Sequence, residues 1–211
     1  MRRFRDRRDA GRRVAALLDH LRGTPLVILG LPRGGVPVAR EVASALGAPL
    51  DVIAVRKLGV PFDPEFAMGA IGEDGVRVID QRVVEMVGVS EADIVEVERR
   101  ERAVLAHRID HVRRLHPRLP LEGVTAVVVD DGIATGSTAR AACAVARAHG
   151  AARVVLAVPV APAGWADGLR DTADEYVAVE EPAGFRSVGQ FYDDFGQTTD
   201  AEVLAALATP A

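Results

Sequence analysis

The sequence predicts an α/β domain with a doubly wound, mostly parallel central sheet, and three observations lead there. Short apolar runs of strand length alternate with helical segments along most of the 211 residues. The runs are continuous where a half-exposed strand would alternate, which is how strands read when helices cover both faces of their sheet. Apolar residues make up 49% of the chain and aromatics only 4%, so Ala, Val and Leu must build the core. The length suits one domain over residues 1–211 with modest additions.

An N-terminal helix is expected over about Arg7 to Leu21. "LVILGL" (26–31) reads as a buried strand broken by "PRGG", and "VPVAREVASALG" as a helix stopped at Gly47. "LDVIAVRKLG" begins as a strand and runs into a long loop, "KLGVPFDPEFAMGA". "AIGEDGVRVI" looks like two short strands joined at Asp74-Gly75. Ser90 and Asp93 can open a long helix ending near Leu115. Ile94, Val97, Leu105, Ile109, Val112 and Leu115 form its apolar stripe. Glu96–Arg100, Glu98–Arg102 and Asp110–Arg114 are its helix-spaced ion pairs. The region from Glu73 to Leu115 is expected to form a subdomain beside the main sheet. "VTAVVVD" (124–130), "ARVVLAVPV" and "EYVAVE" (175–180) supply further strands, with a helix from Ser137 to His149 and a short one around Trp165. The tail reads as a long loop and a final helix. Strands that alternate with helices imply right-handed crossovers.

Composition narrows the function. No apolar stretch reaches the ~20 residues of a membrane-spanning helix. The start, "MRRFRDRRDAGRR", is charged and lacks the apolar segment of a secretory signal, so a cytoplasmic protein without a membrane partner is expected. The single cysteine, Cys143, lies among alanines in a helix and reads as a small buried side chain. The net charge of −4 argues against general nucleic-acid binding. Arg2, Arg3, Arg5, Arg7, Arg8, Arg12 and Arg13 crowd the N-terminus without interleaved aromatics, and read as a solvated helix face or a subunit contact. His107 and His111, four apart on a charged helix, read as surface or interface histidines.

The stretch "AVVVDDGIATGSTARAA" (126–142) carries the chemistry. Four apolar residues put Asp130 and Asp131 at the carboxyl edge of the sheet, where open parallel sheets bind ligands. Gly132 and Gly136 allow turns, and Thr135, Ser137 and Thr138 add hydroxyl donors. A helix beginning near Ser137 offers unpaired N–H groups and a partial positive charge, which suits one phosphate group. Ionised carboxylates only accept hydrogen bonds, so the aspartates suit sugar hydroxyls, or a magnesium ion through its water. A ribose 5-phosphate has a phosphate at one end and a vicinal diol nearby, and fits both halves.

"VVVDDGIATGST" closely resembles the 5-phosphoribosyl 1-diphosphate (PRPP) signature of type I phosphoribosyltransferases: hydrophobic residues, two acids, a short spacer, then Thr-Gly-x-Thr. With "DAGRRVAALL" and "VGQFYDDFGQTTDAEV", the pattern looks like a bacterial branch of that family. The resemblance implies that Asp130 and Asp131 hold the ribose hydroxyls and that 134–138 (Ala134, Thr135, Gly136, Ser137 and Thr138) wrap the 5-phosphate, with Gly132 in the turn. It implies pyrophosphate binding by the loop after the first strand, Arg33-Gly34-Gly35, with a cis peptide between Pro32 and Arg33 or next to it. Arg56 and Lys57 would meet the diphosphate where a mobile loop and hairpin close over the site. A small C-terminal hood, at about 180–200, would bind a nitrogenous acceptor. It contains four of the nine aromatics, and Phe185, Val188, Phe191 and Tyr192 are its candidate contacts.

The implied reaction transfers the 5-phosphoribosyl group from PRPP to a base-like acceptor and releases pyrophosphate. Asp130, Asp131, Arg33 and Lys57 carry the catalytic roles, Mg2+ is the cofactor, contacted by Asp130 and Asp131 through water, and the enzyme is a homodimer. Nine acids against one base, Arg186, between Asp171 and Glu202 favour a neutral or donor-rich acceptor. The alternatives are a PRPP-sensing regulatory protein without turnover and a phosphosugar hydrolase, for which no nucleophile motif is evident.

Overall fold

The computed structural model describes residues 3–208, apart from the side chains of Glu65 and Arg108; Arg2 lies outside the described residues. Helix α1 (Arg7–Leu17) starts at Asp6, whose carboxylate accepts from the Asp9 N–H at 2.7 Å. The helix stops short of Leu21. A 3-10 turn over Asp19–Leu21 tightens its end, because Leu18 and Leu21 must both turn into the core. Strand β1 (Leu26–Gly30) is buried throughout, and α2 (Gly35–Leu46) follows it.

The expected strand after Asp51 divides into β2 (Leu50–Val52) and β3 (Val55–Val60). The expected long loop is instead a hairpin, since β3 pairs antiparallel with β4 (Asp63–Gly72), and β4 pairs with β5 (Arg77–Ile79). Pro61 and Pro64 give the segment a loop-like sequence. They sit at the hairpin turn and the start of β4, where a missing N–H removes no ladder bond that β5 needs. The second sheet therefore begins at Val55, ahead of the expected boundary at Glu73.

Asp80 caps a further helix, α3 (Gln81–Val87), accepting from Arg82 at 3.0 Å. Helix α4 (Glu91–Leu115) opens with a Ser90–Asp93 capping box. Its stripe from Ile94 to Val112 is buried against the hairpin, but Leu115 is exposed. Arg102 pairs with Glu98 and Arg114 with Asp110 as spaced, whereas Glu96 pairs with Arg99 in place of Arg100.

The chain then returns through β6 (Thr125–Val129), α5 (Ser137–Ala148), β7 (Arg153–Val160), α6 (Trp165–Gly168), β8 (Glu175–Glu180) and α7 (Asp200–Ala208). The main sheet runs β2-β1-β6-β7-β8, with every pairing parallel. Alternate residues serve opposite faces. Ile28, Val127 and Val155 pack with α1 and α2, and Val27, Val128 and Leu156 pack with α5. Cys143 is buried among the α5 alanines, and burial pushes its thiol up to about 12.

A buried polar cluster joins the two sheets. Arg113 of α4 donates to Asp51 of β2 at 2.7 Å, to both carboxylate oxygens of Glu73 at 2.5 and 2.9 Å, and to the Val52 carbonyl at 3.1 Å.

Candidate functional site

The sheet order reverses between β1 and β6, because the chain leaves β1 outward to β2 and later returns to the opposite side of β1. Loops that follow adjacent strands at such a point diverge and leave a crevice at the carboxyl ends. Gly30 is in register with Val129, so the Pro32–Gly35 loop lies beside Asp130 and Asp131. The Pro32–Arg33 peptide is cis.

The two loops approach so closely that only glycine fits. A Cβ on Gly34 would lie 2.0 Å from Asp131 Oδ2, and one on Gly35 would lie 2.5 Å from the Val129 carbonyl. Gly136, at a φ of +76°, turns the chain into α5, and no side chain caps that helix. Its first N–H groups therefore face outward beside Thr135, whose hydroxyl is 3.3 Å from that of Ser137.

A cleft of about 620 Å³ opens over this junction. Pro32, Gly34, Asp130, Asp131, Ser137 and Thr138 line one side, and Arg56, Lys57, Arg100 and Glu101 line the other. Arg56 forks onto Glu101, with Nε at 2.8 Å and Nη2 at 2.6 Å. Arg33 departs from its expected place. It does not line the cleft, and its guanidinium turns toward Asp200 of α7, 3.6 Å away, with both side chains substantially exposed.

Burial, and after it the neighbouring Asp131 carboxylate, push the Asp130 carboxyl well above the usual range. The Asp130 Oδ1 accepts from the Asp131 N–H at 2.9 Å. Asp131 is held from three directions. Arg7 Nε donates to Oδ2 at 2.8 Å, and its Nη2 stands 2.8 Å from the same oxygen in an ion pair; the Tyr192 hydroxyl donates to the Asp131 carbonyl at 2.6 Å; and Gly34 packs against the carboxylate.

These contacts correct two expectations. The N-terminal arginines are a solvated face only in part, with Arg3, Arg5, Arg8 and Arg12 exposed and Arg7 turned inward. Arg7 enters the site, Arg5 and Arg13 pair with Asp9, and Arg3 donates to the Tyr192 carbonyl. Phe191 and Tyr192 do not offer ring faces to an acceptor. They are buried with Phe4 and Val160 in a small cluster of their own. Burial, then the Asp131 charge, raise the Tyr192 hydroxyl above its ordinary value. Phe185 stacks on Phe191 with centroids 5.5 Å apart, and Val188 packs over Gly132; both are only half-buried. His107 and His111 are exposed on α4.

Sequence reasoning missed Arg7, Arg100 and Glu101 at this site, and Phe195, whose ring lies 4.1 Å from the Arg7 guanidinium. Arg7 is separated from Asp131 by 124 positions and sits in a crowd of arginines, and Glu101 sits in a uniformly charged helix, so neither has a local signature.

The phosphoribosyl transferase domain matches residues 6–191. Two Mycobacterium tuberculosis relatives named for phosphoribosyl transferases, MT0597 and Rv0571c, are 56% identical over 98% of the chain. The alignment takes in 47% of each, so this chain spans about half the length of the curated relatives it matches. The crystal structure of TT1426 from Thermus thermophilus superposes with a TM-score of 0.91, at 45% identity and 98% coverage of both chains. The chain belongs to the phosphoribosyl transferase family.

Proposed function

We propose that this protein is a PRPP-dependent pentosyltransferase that moves the 5-phosphoribosyl group to a nitrogenous acceptor and releases pyrophosphate. The observation that carries the reading is the junction of β6 and α5. Two carboxylates, Asp130 and Asp131, stand beside an uncapped helix N-terminus in one cleft. The acids read the vicinal diol of a ribose, and the backbone and hydroxyls of 134–138 read its 5-phosphate.

In this reading a ring nitrogen attacks C1 of the sugar as the C1–O bond to diphosphate breaks, with inversion. Positive charge builds on the sugar and negative charge on the leaving group, so positioning and electrostatics dominate. Lys57, the Gly34-Gly35 backbone, Arg56 and Arg33 (once detached from Asp200) hold the diphosphate. Asp130 and Asp131 fix the sugar and face the developing cation.

No group of three acidic, His or Cys side chains forms a metal cage among the described residues. Two cleft carboxylates and a diphosphate instead suit a hydrated magnesium that arrives with its substrate. Asp130 and Asp131 would hold Mg2+ through its water, and the ion would supply charge neutralisation for the leaving diphosphate. Among the described residues no helix is long and apolar enough to cross a membrane. A cytoplasmic homodimer belongs to the same reading.

Calorimetric titration with PRPP, with and without magnesium, tests the site. Micromolar, magnesium-dependent binding supports it, and pyrophosphate release across a panel of bases then separates turnover from ligand sensing. Phosphate release without any base favours a hydrolase. Absence of PRPP binding under both conditions removes the assignment.

A further inference from the structure

We propose that Arg7 is a positioning residue of this site, and that a strap formed by the first residues sets which oxygen of Asp131 faces the ligand. The inference rests on the reading of the cleft as a PRPP site.

The strap joins residues 4–7 to residues 191–196. The Phe4 N–H donates to the Phe191 carbonyl at 2.8 Å, the Asp193 N–H returns to the Phe4 carbonyl at 2.8 Å, and the Asp194 N–H reaches the Arg5 carbonyl at 2.9 Å. Asp6 then caps α1, and Arg7 is the first residue of that helix. Its guanidinium is clamped on three sides. The Phe195 ring lies 4.1 Å from it, Nη1 donates to the Gly196 carbonyl at 2.6 Å, and Nε and Nη2 converge on Asp131 Oδ2. The Arg7 and Asp131 side chains are only 13% and 15% exposed, so little water competes for the pair.

The asymmetry of this contact matters. Arg7 Nε donates to Oδ2, Nη2 stands 2.8 Å from it, and Oδ2 is also the carboxylate atom that a Cβ on Gly34 would meet first. The hydrogen bond from Arg7 goes to Oδ2 and none goes to Oδ1, which in this proposal is the oxygen left to accept from a sugar hydroxyl. A carboxylate with this orientation fixed in advance binds a diol without first losing rotational freedom. Lysine reproduces the effect only in part, because an ammonium keeps the charge but lacks the planar fork that sets two nitrogens on one oxygen.

The test compares two ligands on the full chain. PRPP carries the diol and inorganic pyrophosphate does not, and each is titrated with magnesium by calorimetry. Arg7→Met should weaken PRPP by about tenfold or more while moving pyrophosphate by less than about twofold. Arg7→Lys should recover part of the PRPP loss. Equal losses for both ligands would make Arg7 merely structural, and unchanged PRPP affinity would overturn the proposal outright. If Arg7→Met fails to fold, Phe195→Leu removes the ring beneath the guanidinium and should show the same selective pattern at smaller size. A wild-type protein that binds pyrophosphate but not PRPP overturns the underlying reading and this inference together, before any variant is made.

Discussion

Arg56 and Glu101 meet on one side of the cleft, joined by two hydrogen bonds at 2.8 and 2.6 Å from one guanidinium to one carboxylate oxygen. The relationship ties the first strand of the hairpin to α4, and it spends the charge of a basic cleft residue on an acid. On the proposed PRPP reading, an incoming diphosphate must share Arg56 with Glu101.

Glu101→Gln should therefore tighten pyrophosphate binding. The pair is partly exposed, so the effect is about 1 kcal/mol, or roughly fivefold. Calorimetry on the variant checks it; weaker binding would mean that Glu101 serves to aim Arg56 and not to compete for it.

Gly34→Ala tests the close approach of the two loops. The added methyl would lie 2.0 Å from Asp131 Oδ2, and a backbone loop cannot yield that distance without moving the acid. Overpacking of this kind costs about 1–3 kcal/mol. Urea unfolding should register that loss, and PRPP affinity should fall by more than about tenfold with it. A variant as stable and as avid as the wild type would show that the loop opens freely.

The Arg113 cluster is structural, and its loss should be felt in stability. Asp51 is fully buried, and Arg113 and the backbone N–H groups of Val52 and Leu119 neutralise or bond its carboxylate. Arg113→Met leaves the buried Asp51 and the half-buried Glu73 without that cation and should destabilise the fold by about 3–5 kcal/mol. Denaturant unfolding gives the figure, and Asp51→Asn in the same background should restore part of it.

Asp9 makes stability depend on acid. Burial acts to raise its carboxyl, but hydrogen bonds from the Arg5 backbone and side chain, and the charges of Arg13 and Arg5, outweigh burial and hold it below the ordinary value. A depressed folded value means that the contribution is present above the unfolded pKa of about 3.9 and is lost as pH falls through the folded one. Asp9→Asn should cost about 1–3 kcal/mol at pH 7. That difference from the wild type should shrink steadily below about pH 4. Thermal melts of both proteins across this range check the sign.

Local chemistry was legible in the sequence wherever a feature closes within one strand, turn or helix. Asp130 to Thr138 is such a case, because a strand end, a turn and an uncapped helix start occupy nine consecutive positions, and each residue type there has a local reason. The parallel sheet was legible for the same reason, since Leu26–Gly30 and Thr125–Val129 are apolar enough to be buried on both faces. The hairpin was not, because Pro61 and Pro64 resemble loop punctuation until β4 is seen to pair around them. Tertiary structure alone decided who holds the acids. Arg7 reaches Asp131 from 124 positions away and Tyr192 from 61, and no sequence period records a contact between segments so far apart. It also decided where long side chains point. Arg33 has the residue type and place of a diphosphate ligand, but Asp200 on α7 draws its guanidinium away from the cleft, because a flexible cation goes to whichever acid the fold sets beside it.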